Sequence, residues 1–169
     1  MSEPAQKPGK SKQDYATPLA FIVAVKKRLR IDRFSHDFAA SIDNRKAPTH
    51  FDEATDALSV PRWELTLREC GAMWGWLNPP FADIAPWAKR CLETAEAGGH
   101  MLLLVPAGVG ANWYRDFIHR RALVLALNGR LAFMPDKPKW LYPKDCILCL
   151  FGPSVKPDFD VWNWKLDIP

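Results

Sequence analysis

No stretch of this 169-residue chain approaches the roughly 18 consecutive apolar residues of a membrane span. The opening MSEPAQKPGKSKQD has no apolar segment of the kind a secretory signal carries, so a cytoplasmic location is expected. Histidine is scarce, and His36, His50, His100 and His119 show no metal-ligand spacing. Cysteine is scarce too: Cys70, Cys91, Cys146 and Cys149. The one C-x-x-C, Cys146 and Cys149, lies within DCILCLFG, which reads as a strand. Side chains three apart on a strand point to opposite faces and cannot converge on a metal or a redox turn. Buried free thiols in a reducing compartment, and no metal, are therefore expected. Neither sign of charge dominates: the net charge is +4, which permits a polyanionic partner without requiring one.

What is present fits one domain with a sizeable core, hydrophobic residues making up 48% of the chain. Residues 1–13 are polar, rich in Pro, Lys and Gly, and read as a disordered tail. Thr17-Pro18 suits an N-cap and first helical position, followed by Leu19, Ile22, Val23 and Lys26 at helical spacing and a basic cluster, KKRLR. FSHDFAAS reads as a short strand entering a small-residue turn, APTHFDEATDAL as an extended segment plus loop, and AMWGWL as a strand ending at Asn78. A helix follows, with Asp83 as cap, Pro86 in the first turn, a stripe of Ile84, Trp87, Ala88, Cys91, Leu92 and Ala95, and Gly98-Gly99 at its end. HMLLLVPAG has the continuous apolar character of a strand covered on both faces. NWYRDFIHRR reads as a short helix, and ALVLALNG and DCILCLFG as strands joined by the loop RLAFMPDKPKWLYPK. The last residues, VKPDFDVWNWKLDIP, have no clear periodicity. This alternation predicts a three-layer α/β fold with a mainly parallel sheet. Ligands of such sheets bind at the carboxyl ends of the strands, so the loops DFAAS, NPPF and VPAG are expected along one edge.

The loop WGWLNPPF carries the most chemistry. Pro79 and Pro80 have no N–H, and the residue before a proline is held extended, so Asn78 and Pro79 form a stiff segment. Their carbonyls and the Asn78 side-chain oxygen make a cluster of acceptors beside the ring of Phe81. A planar ligand bearing an amino group is the natural complement, the ring stacking its plane and the acceptors taking its two protons. The same four residues are equally consistent with a plain strand-to-helix turn. The basic clusters KKRLR, HRR and KPK fit solvated helix ends and loops, with phosphate contact as the alternative for some of them.

Seven stretches tip the balance: ATPLAF, HDFAAS, DALSVPRW, WLNPPF, LLLVPAGVGANWY, NGRLAF and YPKDCILCLFG, in order over roughly residues 15 to 152. Together they resemble the Dam-type phage N6-adenine DNA methyltransferases, a branch of the Rossmann-like enzymes that use S-adenosylmethionine (SAM). The resemblance implies a catalytic domain over 14–152, with a C-terminal extension 153–169 of no assigned role. It implies a catalytic loop of Asn78, Pro79, Pro80 and Phe81, and cofactor contacts from Thr17, Pro18, Asp37, Ala39, Ala40 and Ser41. Asp56 stands 19 positions after Asp37, near the ~20-residue offset at which an acid meets a ribose in dinucleotide folds. It is a candidate for the ribose, the SAM adenine or the target base. DNA is the implied partner, with Arg130, Lys137, Lys139 and Trp140 as contacts. The turn after the first strand is Ala-Ala-Ser rather than the glycine-rich G-x-G of many relatives, DAL stands for Asp-Gly-Leu, and YPKD for Phe-Pro-Ser. The implied reaction is direct methyl transfer to N6 of a flipped-out adenine, with low sequence specificity because the longest insertion has only fifteen residues. Alternatives are the same chemistry on cytosine N4, RNA adenine or a protein glutamine, a catalytically silent nucleic-acid-binding module, and an interaction subunit.

Overall fold

The computed structural model describes residues 16–69, 73–134 and 139–168. The expected tail over 1–13, Cys70 and Lys137 lie outside the described residues. The elements are α1 (Leu19–Leu29), β1 (His36–Asp37), β2 (Thr49–His50), α2 (Trp63–Glu69), β3 (Trp74–Leu77), α3 (Ala85–Glu96), β4 (His100–Pro106), α4 (Asn112–Phe117), β5 (Leu123–Leu127), β6 (Cys146–Phe151) and β7 (Asp158–Trp162). Among the described residues they build one seven-stranded sheet in the order β2-β1-β3-β4-β6-β5-β7, in which β6 runs against the other six.

Alternation along the strands splits the core between the two faces. Trp76, Leu102, Leu104, Leu125 and Leu148 meet Phe21, Ile22, Ala24 and Val25 of α1. Leu77, Met101, Leu103, Val105 and Val124 meet Trp63 and Leu67 of α2, Ala88 and Cys91 of α3, and Tyr114 of α4. On β6, Cys146 belongs to the first cluster and Cys149 to the second, as their offset requires. Burial pushes the Cys146 thiol up to about 12 and raises Cys91 and Cys149 as well. The face of β3 toward α2 is tight: a Cβ on Gly75 would stand 2.8 Å from Phe38 Cε2.

Three local expectations need correcting. First, α1 buries Phe21, Ile22, Ala24 and Val25, whereas Leu19 is 72% and Val23 42% exposed. LAFIVAV is apolar on nearly every face, so its period does not say which face turns inward. Second, Pro18, with ψ 136, is the N-cap of α1, and Thr17 lies one residue before it, its hydroxyl engaged elsewhere. Third, Asp83 does not cap α3; Ile84 is the N-cap, and Pro86 removes one of the N–H groups a cap would serve.

Two segments were not anticipated. In α2, Trp63 donates Nε1–H to Ala57 O at 2.8 Å, while Arg90 of α3 donates to the carbonyls of Val60 (2.6 Å), Pro61 (2.9 Å) and Leu58 (3.3 Å), tying this connection to α3. At the C-terminus, β7 pairs with β5 from Leu123↔Asp158 to Leu127↔Trp162. The following 3-10 turn, Trp164–Asp167, seats Trp164 against Phe21 with centroids 5.3 Å apart. On the open side of β7, the N–H groups of Phe159 and Val161 donate to the carboxylates of Asp158 and Asp160, each at 2.8 Å.

Candidate active site

After β1 the chain goes to β2 on one side and later, through β3, to the other. Such a reversal opens a crevice at the carboxyl ends of the two inner strands. The cleft found there is lined by Ala16, Thr17, Asp37, Ala39, Asn44, Lys46, Trp76, Asn78, Pro79 and Pro80. β1 and β3 are in direct register, Asp37 opposite Trp76. Thr17, at the start of α1, arrives from the other end of the chain: Asn78 Nδ2 donates to its Oγ1 at 3.2 Å. Residues separated by 61 positions are thus joined by one bond at the mouth of the cleft.

Asp37 is 2% exposed. Its carboxylate accepts the backbone N–H of Lys46 at 2.9 Å and of Ala39 at 3.3 Å. Burial outweighs these bonds and raises its pKa to about 6. A carboxyl group whose folded pKa lies above its unfolded one favours folding most when protonated, so this contribution is present at acid pH and lost as pH rises from about 4 through about 6. Relative to Asp37→Asn, which does not titrate, the wild type is expected to lose about 3 kcal/mol of unfolding free energy across that window. Urea denaturation of both proteins at pH 4 and pH 7 measures it, and a pH-independent difference would remove the raised pKa.

The Ala-Ala-Ser turn uses its own donors. Phe38 N–H goes to Trp76 O, Ala39 N–H to Asp37, Ala40 N–H to Phe51 O and Ser41 N–H to Asn44 Oδ1. A turn with these four groups committed has none of them to offer a phosphate, and it differs in that respect from the glycine-rich nests that hold nucleotides. Ala40 is buried and Ser41 exposed, and neither lines the cleft.

Phe81 is half-buried rather than free. Its ring lies edge-on to Phe133 at 5.9 Å and 5.7 Å from Tyr142, both on the connection after β5. That connection therefore braces the loop after β3. Arg130 and Lys139 are exposed on it and Trp140 is 38% exposed. Arg130 pairs with Asp145 at 3.3 Å. The basic end of α1 is elsewhere, where α1 leads into the start of β1, and there Lys27 and Arg28 pair with Asp167 and Asp160. Likewise Arg121 precedes β5 at that far edge and pairs with Glu96.

Asp56 is exposed and outside the cleft lining. It caps the 3-10 turn Ala57–Ser59 by accepting Leu58 N–H at 3.1 Å, with φ 37, a left-handed backbone that aspartate tolerates better than most residues. Pro18 adjoins the cleft without lining it. Asn44 and Lys46 line the cleft but were not singled out by sequence. The strand-end argument flags every polar residue of that connection, and nothing separates these two from Asp43 and Arg45 beside them. Among the described residues there is no group of three His, Cys, Asp or Glu side chains placed to hold a metal. No helix among them is long and apolar enough to cross a membrane.

An α/β sheet with one antiparallel strand among the described residues, and a polar cleft at the crevice where chain direction reverses, place the fold in the open-sheet α/β class. The family model described as DNA N-6-adenine-methyltransferase (Dam) matches residues 5–145. The chain belongs to that family. A protein of Escherichia phage T1 named DNA N-6-adenine-methyltransferase is 25% identical over 125 residues, covering 62% of this chain and 48% of that protein. The chain thus spans about half the length of this curated relative.

Proposed function

We propose that this protein is a SAM-dependent DNA methyltransferase of Rossmann-like fold that modifies N6 of adenine. The observation that carries the reading is the cleft itself. It gathers Asn78, Pro79 and Pro80 with Thr17, Asp37 and Ala39 at the ends of β1 and β3, in a chain of the Dam family. The donor set fits SAM: a buried carboxylate for a cationic or hydroxyl-bearing ligand, a lysine, two amides, and a turn whose committed N–H groups suit a ligand without phosphate. The space among these residues is about 390 Å³ with its solvent-open side included. The ligand lies along the strand ends, with Thr17, Asp37 and Ala39 in the cleft wall and Pro18, Ala40 and Ser41 on the segments that flank it. The connection after β2, which carries Asp56, lies at the far end of that line.

SAM, when bound, supplies a methyl group already activated by the sulfonium. The target base must leave the duplex stack, because N6 is otherwise paired. Asn78 Oδ1 and the Pro79 carbonyl accept the two N6 protons, which turns the nitrogen lone pair toward the methyl donor; catalysis is then by orientation and preorganised polar groups. Asn78 Oδ1 lies buried in the resting cleft, so presenting it requires the side chain to turn away from Thr17. Such tightening on substrate binding is common in active sites. Phe81 stacks on the flipped base, its plane set by Phe133 and Tyr142. Arg130, Lys137, Lys139 and Trp140, on the connection after β5, meet the DNA backbone or wedge the stack. A loop of this size reaches two or three base edges, each good bidentate contact being worth about 1–3 kcal/mol, so specificity is low.

The test is transfer of tritium from labelled SAM to DNA lacking N6-methyladenine, with nucleoside analysis and long-read mapping. Label in N6-methyladenine spread over many sequence contexts is expected. Label in N4-methylcytosine, or in RNA alone, would move the substrate; DNA binding without any transfer would make the chain a silent binding module. A strict motif of about four or more base pairs would overturn the low specificity.

A further inference from the structure

Among the described residues lining the cleft, two carry charged side chains, Asp37 and Lys46. Lys46 is half-buried, while its neighbours Asp43 and Arg45 are exposed and outside the lining. Its place is set by its own backbone, whose N–H donates to Asp37 Oδ2 at 2.9 Å, and by the buried Ala47 that follows. Among the described residues no carboxylate stands within ion-pair distance of its ammonium. Partial loss of water disfavours the charged form and the more distant Asp37 carboxylate favours it, with burial the larger effect. The cleft thus holds a partly desolvated cation lacking a close counter-ion, next to a buried anion whose two oxygens already serve backbone donors.

We propose that Lys46 is a cofactor-binding residue that recognises the α-carboxylate of the methionine moiety of SAM, an assignment that rests on the reading of the cleft as a SAM site. The amino-acid end of SAM carries a carboxylate and an ammonium on one carbon, and a sulfonium further along. Lys46 and Asp37 present the opposite pair of charges on one cleft wall. The carboxylate gives Lys46 the anion it lacks, and Asp37 faces the cationic or hydroxyl groups. A lysine reading DNA phosphate has no need of a place beside a buried acid inside the cleft; the exposed Arg45 next to it is better placed for that.

The experiment is calorimetry on the full chain with SAM and with decarboxylated SAM, which keeps the amine and the sulfonium and lacks only the carboxylate. The variants are Lys46→Met and Lys46→Arg, both of which retain the backbone N–H to Asp37; thermal unfolding checks that each is folded. Wild type is expected to bind SAM at least about tenfold more tightly than decarboxylated SAM, the usual scale for a hydrogen bond between charged groups. Lys46→Met should weaken SAM by a similar factor and bind both compounds alike, and Lys46→Arg should restore most of the preference. Unchanged SAM affinity in Lys46→Met, or a preference for the carboxylate that survives the substitution, overturns the assignment. So does a variant that binds SAM normally but DNA poorly, which would place Lys46 on phosphate. If the wild type binds neither compound, the SAM reading of the cleft fails first and the assignment falls with it.

Discussion

Asn78→Ala is expected to lose methyl transfer by about 100- to 1,000-fold, the usual consequence of removing one preorganised polar contact to the reacting group. Folding should survive. The side chain is half-buried at the end of β3 and makes a hydrogen bond to Thr17 at 3.2 Å, an interaction worth about 0.5–1.5 kcal/mol net. The stiffness of the loop comes from Pro79 and Pro80, which the substitution leaves in place. Thr17→Val is the control: it breaks the same bond but keeps the Asn78 acceptor, and its loss of turnover should be far smaller. Single-turnover rates on DNA beside urea unfolding curves separate the cases. Equal losses in the two variants would assign Asn78 to holding the loop shut, and near wild-type turnover in Asn78→Ala would leave the loop as a turn.

A chain ending at Gly152 is expected not to fold, although residues 153–169 stood apart in the sequence as an extension. The removed part carries Trp162 and Trp164, 4% and 6% exposed, which close around Phe21 at 5.8 and 5.3 Å. Trp164 also donates Nε1–H to Gly129 O at 2.8 Å, fastening the end of β5. Losing a buried tryptophan typically costs about 3–5 kcal/mol. Two of them, with β7, make up much of the 5–15 kcal/mol that holds a domain together. Trp164→Ala gives the graded version: a fall of about 3–5 kcal/mol in unfolding free energy by urea titration. A truncated chain with a cooperative, wild-type melt would show the segment to be an ornament.

Much of the cleft's position was legible because the segments that frame it are local in sequence. Two prolines after an apolar strand mark the loop that follows β3, and the carboxyl ends of β1 and β3 follow from strand alternation. The stripe on α3 and the continuous apolar run of β4 were likewise visible, since one period or one run decides each. What was hidden depends on long-range partners. Thr17 looked like a helix cap, and only the arrival of Asn78 from 61 positions away gives its hydroxyl another role. Lys46 belongs to the cleft because its backbone N–H meets Asp37, and side-chain patterns carry no trace of that. DFDVW alternates, but with acids on one side and only β5 beside it, so it did not announce itself as a strand. Helix α2 escaped notice because its seven residues span two turns, too few for a period to declare itself.

The aspartates of that last strand have a consequence for how the molecule keeps company. A sheet must end somewhere, and an open rim of unsatisfied donors is where a neighbouring chain can be recruited into a growing fibre. Here the rim of β7 has its outward N–H groups occupied from within, by Asp158 and Asp160. Asp158 adds a negative charge to the border, Asp160 being paired with Arg28, so a second copy approaching edge to edge meets donors already committed. The molecule carries its own terminator at the end of the sheet.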